Sequence, residues 1–151
     1  MKISRIVIGL VFAGLFPFAA QADLPGRHPA YLHVLSDLRA ARWDLEHRPG
    51  DAAVNRQEDL ALAEIDRAID ETKRAAMADG KNLGQRPPED SRMNHGGRLH
   101  RALGLLRSAR NDAAREEDNP QVRMLRNRIV DHIDAAMRFT ERAIRDVEMR
   151  R

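Results

Sequence analysis

Residues 35–44, LSDLRAARWD, and residues 103–112, LGLLRSARND, decide the fold. The two stretches share Leu, Leu, Arg, Ala, Arg and Asp at the same places, 68 residues apart. Extended without a gap to 35–75 against 103–143, the match reaches 13 of 41 positions. It includes Leu35/Leu103, Leu38/Leu106, Arg42/Arg110, Asp44/Asp112 and Val54/Val122. It continues through Ile65/Ile133, Asp66/Asp134, Ala68/Ala136, Thr72/Thr140 and Ala75/Ala143. The pattern is that of a duplicated unit whose apolar face is too exposed to stand alone.

The unit is helical. Apolar residues recur at three and four, as in Tyr31, Leu35, Leu38, Ala41, Leu45 and again in Ala61, Ile65, Ala68, Ile69, Ala76. The same spacing runs through Leu99, Ala102, Leu103, Leu106, Ala109, Ala113 and through Leu125, Ile129, Ile133, Met137, Ile144, Val147. Such stripes mark amphipathic helices, and sustained period-two alternation is missing. The punctuation agrees. Pro29 suits a first helical position, and Asn119-Pro120 pairs an N-cap with a proline after it. Asn55 with Glu58 forms a capping-box pattern, and Gly80 stands where a helix end favours a left-handed residue. Helices are expected near 29–47, 53–78, 97–116 and 120–149. The expectation is an all-α, four-helix, up-down-up-down bundle of two tandem hairpins, about 29–78 and 97–149, joined by a linker over 79–97.

Ahead of the bundle, residues 1–22 read as a signal peptide. Lys2 and Arg5 precede the uncharged run Ile6 to Ala20, and Ala20-Gln21-Ala22 fits a cleavage site before Asp23. The run is 15 residues and contains Pro17, short of the roughly 20 residues a spanning helix needs. The mature chain, 23–151, is expected to be periplasmic or secreted, with no membrane attachment after cleavage. It holds 24 basic and 23 acidic groups. That near-balance, with only Tyr31, Trp43 and Phe139 as aromatics, argues against nucleic-acid binding. The chain has no cysteine, which removes disulfides, thiolate metal sites and cysteine nucleophiles.

Arg42 and Arg110 fall on the apolar stripes. They are expected to reach a carboxylate, with Asp66 and Asp134 as the matched acids. The histidines offer the remaining candidates for chemistry. His28 and His33 flank the first helix start, and His95 and His100 flank the third. With helices one and three parallel, all four rings would gather at one end, where neutral imidazoles could ligate a metal. A spacing of five turns about 140° around a helix, so neither motif chelates as a helical pair. His132 with Met93, Met124 or Met137 could in principle serve a haem, but alanine-rich helices leave little room for a porphyrin. Glu-x-x-His pairs for a di-iron site do not occur, nor do G-x-S-x-G, H-E-x-x-H, phosphate-loop or G-x-G-x-x-G motifs. Asp79-Gly80-Lys81-Asn82 is too short for a calcium loop.

The segments HPAYLHVLSDLRAARWDLEHRPGD, EIDRAIDETKRAA, DGKNL, GRLHRAL and AREEDNP resemble a group of small secreted bacterial all-helical proteins of unknown function. The resemblance implies the same helical-repeat domain and supplies no catalytic residues. The expected function is therefore a non-enzymatic binding or structural module, acting on an unknown protein partner or by self-association. It carries no catalytic, cofactor or metal residues. The alternative is a periplasmic metal- or small-ligand-binding protein using the histidine end.

Overall fold

The computed structural model describes residues 30–47, 56–80, 95–115 and 117–150. The three- and four-residue stripes wind into four helices: α1 (Tyr31–Glu46), α2 (Arg56–Ala78), α3 (His95–Ala113) and α4 (Pro120–Glu148). No strand occurs among the described residues. The expected signal peptide, Pro29, Asn55 and most of the linker lie outside the described residues.

The helix ends follow local chemistry. The Asn119 side chain accepts from the Gln121 N–H at 3.0 Å, with Pro120 next to it, so α4 starts where the sequence places it. After α2, Gly80 takes a φ of 68°, the left-handed conformation that costs glycine nothing. Helix α3 begins two residues earlier than expected, with Gly96 and Gly97 inside its first turn. It also closes earlier. There the Arg126 guanidinium, from α4, donates to the carbonyls of Ala114 at 3.1 Å and Arg115 at 3.3 Å.

Helix α1 packs on α2 and α3, and α4 packs on the same two, leaving α1/α4 and α2/α3 as diagonals. Cross-helix pairs fix the directions. His33, in the first turn of α1, reaches Asp112 near the end of α3 at 3.8 Å. Asp44, near the end of α1, meets Arg101 near the start of α3 at 3.3 Å. Helices α1 and α3 are therefore antiparallel. The same follows for α2 and α4 from Glu71–Arg128 and Glu64–His132. Each of the four packed neighbour pairs is antiparallel, the diagonal pairs are parallel, and the chain order is up-down-down-up.

This corrects the expected up-down-up-down order with helices one and three parallel. The apolar stripes alone allow either order. The charged pairs flanking them, Asp44–Arg101 and His33–Asp112, select the antiparallel one.

The core is the matched set. Leu38, Leu106, Ile65, Ile133, Ala41, Ala109, Ala68 and Ala136 are all 0% exposed. Burial of a large aliphatic side chain contributes about 1.5–3 kcal/mol, so such residues dominate the stability. Alanines in the seams bring the helices close. Thr72 and Thr140, also buried, turn their hydroxyls back to the carbonyls of Ala68 at 2.6 Å and Ala136 at 2.9 Å. That bond within the helix satisfies a polar group that has no room for another partner.

Contacts recur at the 68-residue offset. Arg42 Nε donates to Asp66 at 2.7 Å and Arg110 Nε to Asp134 at 2.8 Å. His33–Asp112 and Asp44–Arg101 exchange places under the same shift. Glu64 and His132, equivalent positions, meet one another at 2.7 Å. A pair of equivalents in mutual contact marks a local twofold axis between the α1–α2 and α3–α4 hairpins.

Candidate functional site at the Trp43 end of the bundle

One end of the bundle collects the end of α1, the starts of α2 and α3, and the end of α4. Seven acid, base and aromatic side chains meet there. Glu58 is fully buried, and both of its carboxylate oxygens lie 3.2 Å from His95 Nε2. The Asp44 carboxylate, also buried, accepts from Arg101 at 3.3 Å. The Arg98 guanidinium sits 5.0 Å from the Trp43 ring centre, and the His47 ring stacks on Trp43 at 4.2 Å. A buried carboxylate is tolerated only with partners, and here each partner comes from another helix. The cluster thus welds α1, α2 and α3 together.

Beside it, between the start of α3 and the end of α4, opens a groove of about 140 Å³. Leu99, Ile144 and Val147 line it with Gly96 and Gly97, and His100 and Glu148 stand 3.7 Å apart at its edge. Gly96 and Gly97, in the first turn of α3, add no side chain of their own to the groove.

The opposite end is polar in a different way. The Tyr31 hydroxyl donates to the buried Glu117 carboxylate at 2.8 Å, and Glu117 also accepts from the Asn119 N–H at 2.9 Å. Burial, then the Glu117 hydrogen bond and charge, then the charge of Asp79, push the Tyr31 phenol far above its ordinary value, against a smaller lowering by Arg126. Glu117, Asp118, Arg123 and Arg126 line a cleft at this end.

The sequence-level candidates fare unequally. His28 lies outside the described residues. His33 is at the Tyr31 end, whereas His95 and His100 are at the Trp43 end, because α1 and α3 are antiparallel. The expected four-histidine end is therefore not formed, and the metal-site alternative loses the geometry on which it stood. Among the described residues, no group of three or more His, Asp or Glu is placed to hold a metal ion. His132 is engaged with Glu64, Met124 faces outward at 64% exposure, and Met93 lies outside the described residues. Arg42 and Arg110 take the expected acids, and the Asp66 hydrogen bond raises the Arg42 guanidinium above its usual value.

Two features escaped the sequence. Nothing in the sequence ties Arg98 to Trp43, since they belong to helices 55 residues apart. The Tyr31–Glu117 bond had a usable signal: a tyrosine on an apolar stripe needs a partner for its hydroxyl.

Compared with protein-family models, with curated proteins and with solved structures, the chain matches none. No described helix is long and apolar enough to cross a membrane.

Proposed function

We propose that the chain is an exported, non-enzymatic helical bundle, built by duplication of one hairpin, that binds a protein partner or a second copy of itself. Residues 1–22 serve as the signal peptide, and the mature bundle works in the periplasm or outside the cell. One observation carries the non-enzymatic reading. Buried and half-buried acids pair with bases or the tyrosine of other segments: Tyr31–Glu117, Glu58–His95, Asp44–Arg101, Glu64–His132 and Glu71–Arg128. Groups that catalysis would turn toward a substrate hold the bundle together instead. The offset of 68 between equivalent contacts supports the duplication.

The groove at the end of α4 is the surface best suited to a partner, with an apolar floor and a charged edge. A photo-reactive side chain at Val147, in the exported protein, should give a discrete crosslinked adduct. The same group at exposed Arg138 should not. Equal labelling at both places argues against a binding surface there. Intact mass of the exported chain should begin at Asp23, and a retained Met1 removes the export reading.

A further inference from the structure

The face between the two hairpins distinguishes its halves. At the local twofold, Glu64 stands opposite its own equivalent, His132, at 2.7 Å. Nearby, Glu71 meets Arg128 at 3.3 Å, while their equivalents at the 68-residue offset are Phe139 and Leu60, both apolar. Two copies of the first hairpin packed this way would set Glu64 against Glu64 and Glu71 against Leu60. Two copies of the second would set His132 against His132 and Arg128 against Phe139. Both arrangements place like groups together or strand a charge on an apolar side chain. By contrast His33–Asp112 and Arg101–Asp44 keep opposite signs in any pairing, so they bind without choosing.

The first hairpin thus selects the second, and nothing in that selection depends on which chain supplies it. Ala78 and His95 stand at opposite ends of the bundle, with 16 residues between them. Extended, such a segment reaches about 50 Å, against about 35 Å for the length of α2. That reach also allows passage to a neighbouring molecule. We propose that the α1–α2 face is a binding surface for the α3–α4 hairpin of a second copy. The product is a reciprocally exchanged dimer in which Glu64–His132 and Glu71–Arg128 enforce the pairing. This rests on the reading of the chain as a partner- or self-binding bundle and names the partner.

The test uses two full-length variants. Glu64→Lys places a cation opposite His132, and His132→Glu places an acid opposite Glu64. Each variant alone carries a mismatch in every pairing of first with second hairpin. Unfolded together and refolded as a mixture, they regain matched partners only by exchanging hairpins. The expected result by light scattering is twice the mass of one chain for the mixture. Each variant refolded alone should show much less of that species, whereas the double variant Glu64→Lys/His132→Glu, whose hairpins match again, should form it to the same extent as the parent chain at the same concentration. If either variant fails to recover helical circular dichroism, Glu71→Arg and Arg128→Glu provide the same design at the second pair. A mixture that stays at one-chain mass, or single variants that dimerise as fully as the mixture, overturns the proposal. The Val147 crosslink is scored separately, so failure of exchange is distinguishable from failure of the proposed function.

Discussion

The Tyr31 hydroxyl donates to Glu117 across 86 residues of sequence, tying the start of α1 to the segment that leads into α4. Both groups are buried, and both hairpins contribute one of them. The contact has a signature in alkali.

Tyr31 is the only tyrosine in the chain, so tyrosinate absorbance reports it alone. Its phenol is raised by burial and by Glu117, so the folded chain keeps the proton after the unfolded chain has lost it. Below the ordinary phenol value, about 10, this group gives stability no pH dependence; above it stability falls by up to about 1.4 kcal/mol per pH unit. Denaturant titrations at increasing pH should show that fall in the parent protein and a flatter course in Tyr31→Phe. Removal of the hydroxyl should itself cost about 1–3 kcal/mol at neutral pH, because it deprives a buried carboxylate of a donor. A tyrosinate transition in the folded state at the ordinary value would contradict the burial.

Ile65 and Ile133 are equivalent in sequence, and both are fully buried. Replacement of either by alanine should destabilise by about 2–5 kcal/mol, with losses of similar size, because each leaves a cavity in the same kind of seam. Urea unfolding checks this. A loss under about 1 kcal/mol at one position would mean that its surroundings collapse around the gap.

Arg42–Asp66 and Arg110–Asp134 have good geometry but stand at the surface, with side chains between 32% and 52% exposed. Asp66→Asn and Asp134→Asn should each cost less than about 1 kcal/mol, and less still in high salt. A large loss in thermal unfolding would show that these pairs hold the hairpins rather than decorate them.

Gly104 sits in the interior of α3, exposed, with open space where a β-carbon would go. Gly104→Ala should raise stability by about 0.5–1 kcal/mol through the lost freedom of the unfolded chain. A melting temperature that stays level or falls would point to a close neighbour at that face.

Much of the bundle was legible because its signals are local. The stripes at three and four, Asn119-Pro120 and Gly80 place helices within a few residues. The pairing of Arg42 and Arg110 was also readable, since an arginine on an apolar stripe must find an acid and Asp66 and Asp134 repeat at the right offset. The helix order was not readable, because Leu38 and Ile65 are buried equally well in either arrangement. The order is set by pairs distant in sequence, such as Asp44–Arg101. The error moved His33 to the wrong end, and the four-histidine site went with it. The Trp43–Arg98 stack depends on the same long-range geometry.

The antiparallel neighbours have one more effect. Each end of the bundle gathers two helix starts and two helix finishes. A helix start carries about half a positive charge and a finish about half a negative one, so these partial charges nearly cancel at both ends. Whatever field this protein presents to an approaching ion comes from its side chains, and salt should screen nearly all of it.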